Sequence, residues 1–176
     1  MLRGGHALQV ANRALLSAHL KSSSRGGAST PDPAHVKTLQ TLKMVEERAV
    51  ERIESAVAER GVRFRPSLLL PALQCSSAVI GSMLSLFSAN VSDAYQTGVK
   101  TAISDYYNDQ IREIYEKQPE EVALKELFKT TRDEELAFVD ANSLDGMSPD
   151  PAAAEHPAAM FAKTSSKLLV QVVKTL

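Results

Sequence analysis

Apolar residues recur along most of this chain at spacings of three, four and seven, the signature of helices with one buried face. The first run predicts a helix over about residues 5–20, with Leu8, Ala11, Leu15 and Ala18 on one stripe. A turn-forming stretch, KSSSRGGASTPDP, ends it, and Asp32 before Pro33 forms a natural start for a second helix. That helix should turn Leu39, Leu42, Ala49, Ile53 and Ala56 inward and stop at Gly61. Residues 66–92 carry no charge and are long enough to suggest a membrane span. Their several serines, Asn90, Gln74 and two prolines favour a buried or membrane-surface helix instead. A fourth helix is expected from about Asp93 to Lys117, with Tyr95, Val99, Ala102, Tyr106 and Ile114 near one face. Pro119 breaks it, and residues 119–142 form a further helix or helical pair. A loop at about 143–157 leads to a last helix, 157–176, with Phe161, Leu168, Val172 and Leu176 on one side.

Composition sharpens this picture. Of 176 residues 44% are hydrophobic, but there is no Trp and there are few aromatics. A core of Leu, Val, Ile and Ala, with only eight Gly and no alternating runs, predicts an all-α fold. The length suits a single domain. Cys75 is the one cysteine, so no intrachain disulfide and no Cys-based metal site can form.

The net charge of −1 hides an asymmetry. Residues 1–31 carry Arg3, Arg13, Lys21 and Arg25 and no acid, leaving 16 of the 20 basic and all 21 acidic side chains to the rest. A basic, Ser-rich, amphipathic start is the pattern of mitochondrial targeting. We expect 1–31 to be a targeting-like helix and linker that is retained, and 32–176 to complete a single helical domain that also includes helix 5–20. The acidic excess of the remainder argues against nucleic acid. Gly-rich phosphate loops, zinc spacings and nucleophile elbows are absent from the sequence.

Five fragments, in order, resemble one family. They are HALQVANR at 6–13, RFRPSLLLPAL at 63–73, YNDQIR at 107–112, the Pro-Glu pair at 119–120 and RDEEL at 132–136. Together they are similar to the demethoxyubiquinone hydroxylases, di-iron enzymes of ubiquinone biosynthesis. The resemblance implies a ferritin-like bundle whose metal site needs one Glu from each of two helices and a Glu-x-x-His from each of two others. Carried over residue by residue, those positions fall on Gln9, on Arg48 and Glu51, on Lys100, and on Glu135 and Phe138. Shifts by one place Leu8, Glu47 with Val50, or Thr101 there instead. None of His6, His19, His35 and His156 stands three residues after a Glu.

On that basis we expect no metal and no cofactor, and a non-catalytic pseudoenzyme. Its role would be that of an accessory subunit of a mitochondrial inner-membrane assembly on the matrix side, a respiratory-chain complex first. Its partners would be other protein subunits, with lipid or quinone contact through Leu68, Leu69, Leu70, Leu73, Val79, Ile80, Leu84, Leu86 and Phe87. Two alternatives accompany it: a quinone- or lipid-binding module in ubiquinone metabolism, and an active demethoxyubiquinone hydroxylase with unusual ligands. Where basic residues stand for lost ligands, Glu135 should pair with Lys100 or Arg48, and Phe138 should fill the volume of an imidazole.

Overall fold

A computed structural model describes residues 1–24, 32–61, 69–143 and 157–174. Among them the chain is all-α, of the ferritin-like helical-bundle class, with six helices: α1 (Leu2–Ser23), α2 (Pro33–Glu59), α3 (Leu69–Leu84), α4 (Ala89–Lys117), α5 (Val122–Ser143) and α6 (Pro157–Lys174). They divide into two compact units, His6–Asp93 and Met1–Gly5 with Ala94–Leu176.

The His6–Asp93 unit is built on local signals that the sequence carries openly. The Asp32 carboxylate accepts the Ala34 N–H at 3.0 Å, and Pro33 opens α2 where a missing N–H costs nothing. Gly61, at φ 63°, closes it in the left-handed conformation that a Cβ disfavours. Along α2 the inward stripe is Leu39, Leu42, Glu46, Ala49, Val50, Ile53 and Val57, with Ala56 only half-buried. In α1, Leu8, Val10, Ala11, Leu15 and Leu16 are buried, together with Gln9, Asn12 and His19.

Helix α3 corrects the expectation for the apolar stretch. Its buried positions are Ser77, Gly81 and Leu84, so the inward face is carried mostly by small residues. The cause is the closeness of α1. A Cβ on Gly81 would lie 2.8 Å from the Leu15 carbonyl carbon and 3.0 Å from its Cα. Backbones that approach so nearly leave no room for a large side chain between them, and the larger residues face outward. Val79, Met83, Leu86 and Phe87 are exposed, whereas Leu84, expected to meet a membrane or partner, is buried. Leu69, Leu70, Leu73 and Ile80 are half-buried, and Leu68 lies outside the described residues. Among the described residues no helix is long and apolar enough to cross a membrane.

In the other unit, α4 buries Tyr95, Val99, Ala102, Ile103, Tyr106, Tyr107, Ile111 and Ile114. Tyr107 packs with Phe128 of α5 at 5.4 Å between ring centroids, and with Tyr106 edge-on at the same distance. The stretch expected to hold a helix or a helical pair at 119–142 holds one helix, Val122–Ser143, because no breaker follows Pro119 within it. Tyr106 donates its hydroxyl hydrogen to the Met1 carbonyl at 2.7 Å. Helix α6 corrects another expectation: Phe161 is exposed and Ala162, its neighbour, is the buried residue. The side chains of Leu168, Val172 and Leu176 lie outside the described residues.

Candidate functional site

Buried polar side chains mark the places where these helices can do chemistry, because an unpaired polar group in a core is costly. In the unit that begins at Ala94 they are Gln96, Lys100, Ser104, Gln110, Thr131 and Glu135. Lys100 of α4 and Glu135 of α5 are both fully buried, and Lys100 Nζ stands 2.5 Å from Glu135 Oε2. Thr131 returns its hydroxyl to the Leu127 carbonyl. Arg132, next to the buried pair in sequence but outside it, donates to Asn108 at 3.1 Å and to Asp133 at 2.7 and 2.8 Å. Burial pushes the Tyr106 phenol well above its ordinary value, with the Glu113 charge adding to it.

The His6–Asp93 unit holds a separate polar set. Asn12 of α1 donates to Glu46 of α2 at 2.8 Å, and both are buried. Near the other end of α1, the Ser92 hydroxyl faces His19 Nδ1 at 3.4 Å. The His19 ring lies 5.7 Å from that of His35, which pairs with Asp93 at 3.2 Å. Burial, then the charge of His35, hold His19 down at about 4, against the pull of Asp93. His6 reaches Glu54 at 3.0 Å on the exposed side of the unit.

The six positions transferred from the family behave unequally. Gln9, Lys100 and Glu135 are buried. Arg48 and Glu51 are exposed, and Arg52 next to them donates to the Arg48 carbonyl. Glu46 is the inward carboxylate of α2, and the buried residue three positions after it is Ala49. The signal was present in the sequence: Glu46 lies four residues after Leu42 and three before Ala49, on the stripe already assigned to the core. The side chain of Phe138 lies outside the described residues. The pairing of Lys100 with Glu135 is present, while Arg48 takes no part in it.

The donor set does not fit a di-iron centre of the kind the resemblance implies. Such a site needs several anionic oxygens and imidazoles converging on the metals. Among the described residues each unit supplies one fully buried carboxylate; one is held by an amide, the other by an ammonium. Among the described residues no three His, Cys, Asp or Glu side chains come together to hold an ion.

Comparison with known proteins places the chain. Residues 16–172 match the family model described as ubiquinone biosynthesis protein COQ7. The chain belongs to the COQ7 family. Its similar relatives include the NADPH-dependent 3-demethoxyubiquinone 3-hydroxylase, mitochondrial, of Dictyostelium discoideum, 35% identical over 74 residues, 42% of this chain and 34% of the relative. The proteins of the same name from Bos taurus and Homo sapiens are each 34% identical over 79 residues, 44% of this chain and 36% of the relative. The matches thus span about a third of the length of these relatives.

These findings overturn the expectation of a non-catalytic accessory subunit of a respiratory complex. The COQ7-family relatives carry the name of a hydroxylase, and no structural subunit of an assembly appears among them. The expectation inferred a lost reaction from substituted ligand positions. Two of those positions, Arg48 and Glu51, are surface residues that never were the inward ones on α2.

Proposed function

We propose that this protein acts in the mitochondrion at the hydroxylation of a 3-demethoxyubiquinone-type quinone, with NADPH as the source of electrons. The observation that carries the reading is the family match over residues 16–172, which runs through both helical units rather than through one shared helix. The printed names of the relatives support the substrate and the compartment. Because the donor set fits no family-type di-iron centre, no iron ligand is assigned and no step is routed through one.

A polyprenylated quinone resides in a bilayer, so a protein acting on it must work at a membrane surface. The exposed Val79, Met83, Leu86 and Phe87, at the end of α3 and in the turn after it, support contact with lipid there. The matrix face of the inner membrane is the location this reading favours.

The test uses purified protein with liposomes that contain 3-demethoxyubiquinone. NADPH is added, with and without Fe(II), and quinones are followed by mass spectrometry. The reading expects a hydroxylated quinone that accumulates with time and requires both protein and NADPH. No product under either condition, with a known relative active in parallel, would overturn it.

A further inference from the structure

The core of the α4–α5 pair contains a cation of its own. Lys100 and Glu135 come from different helices, are fully buried, and bring Nζ and Oε2 to 2.5 Å. An ammonium at that distance engages the carboxylate oxygen directly. It also supplies positive charge where a metal would supply it. A divalent ion placed at Glu135 would have to displace a lysine that has no solvent beside it to move into. The other buried polar side chains described between Ala94 and Glu135, namely Gln96, Ser104, Gln110 and Thr131, are neutral and bind metals weakly.

We propose that an internal Lys100–Glu135 ion pair, not a metal ion, closes the α4–α5 core, so that this helical unit keeps its fold without iron. The pair ties α4 to α5 through opposite charges inside the core. Any metal used in the reaction is then held elsewhere than at these two residues. The inference concerns how the unit is held together, and it stands whether or not the hydroxylation assay succeeds.

Thermal melting of the full chain tests it, with three additions: EDTA, excess Fe(II) under anaerobic conditions, and Mn(II). The wild-type melting temperature should be the same in all three. Lys100→Met takes the ammonium away from the buried Glu135 carboxylate and should lower the melting temperature by about 10 °C. Lys100→Met with Glu135→Met removes both charges and should recover most of that loss. If Lys100→Met does not fold, the double variant carries the test alone, and a cooperative melt near the wild-type temperature is expected. Lys100→Glu would place two carboxylates at the position, and its melting temperature should rise with Mn(II) where the wild type's does not. The proposal is overturned if Fe(II) raises the wild-type melting temperature and the rise disappears in Glu135→Gln. It is equally overturned if Lys100→Met melts with the wild type.

Discussion

Replacing Gly81 by alanine in the last turn of α3 should destabilise the protein, although the same change within an ordinary helix stabilises it. Alanine exceeds glycine in helix propensity by about 1 kcal/mol, so an unobstructed site would gain roughly that amount. At Gly81 the new methyl would meet the Leu15 backbone at 2.8 Å from its carbonyl carbon and 3.0 Å from its Cα. These atoms are held in the hydrogen-bonded ladder of α1 and cannot rotate aside as a side-chain tip would. Relief therefore needs one helix to slide away from the other, and overpacking of that kind costs roughly 1–3 kcal/mol, occasionally more. With a rigid backbone as the obstacle we take the upper end, which leaves a net loss of about 1–2 kcal/mol after the propensity gain. In a chain of this length that is a fall of about 2–8 °C in melting temperature. Urea unfolding followed by circular dichroism measures it, with Ser82→Ala, an exposed change one residue along, as the control. A Gly81→Ala protein as stable as the wild type, or more stable, would refute the close approach of α1 and α3.

Two further outcomes rest on buried polar groups. Both amide atoms of Gln96 are buried without a hydrogen-bond partner, so Gln96→Leu, close in volume, should be neutral or stabilising by about 1 kcal/mol; a loss above about 2 kcal/mol in urea unfolding would show that the amide is in fact satisfied. His19 is held at about 4 when folded against 6.5 in the open chain, so the unfolded state binds the proton first. Stability should be fully present above about pH 6.5 and be lost as pH falls toward 4, by roughly 1–2 kcal/mol once solvent screening is allowed for. The pH dependence should flatten over that range in His19→Gln, and an unchanged slope would assign the acid sensitivity to other groups.

The helices were legible because their signals are local. Asp32-Pro33 and Gly61 set the ends of α2, and the three-four spacing of Leu39, Leu42, Ala49 and Ile53 set its face. The same spacing contained the buried carboxylate at Glu46, but a register borrowed from another sequence passed over it for Arg48 and Glu51. Geometry between helices is not local, and there the sequence said less. That Ser77 and Gly81 rather than the leucines face inward on α3 depends on the nearness of the Leu15 backbone. Lys100 and Glu135 lie 35 residues apart in the chain, and nothing within either helix reports the other. Their pairing followed from asking what a carboxylate would need once its metal ligands had changed. The His19, His35 and Asp93 cluster was missed altogether, because three helix ends bring it together and no motif links them.

A role in quinone hydroxylation should be visible in the quinone content of cells that lack this chain. Mass spectrometry of mitochondrial lipids from a deletion strain should show 3-demethoxyubiquinone accumulating while ubiquinone falls, with both restored by the wild-type chain. A quinone profile indistinguishable from that of the parent strain would contradict the claim.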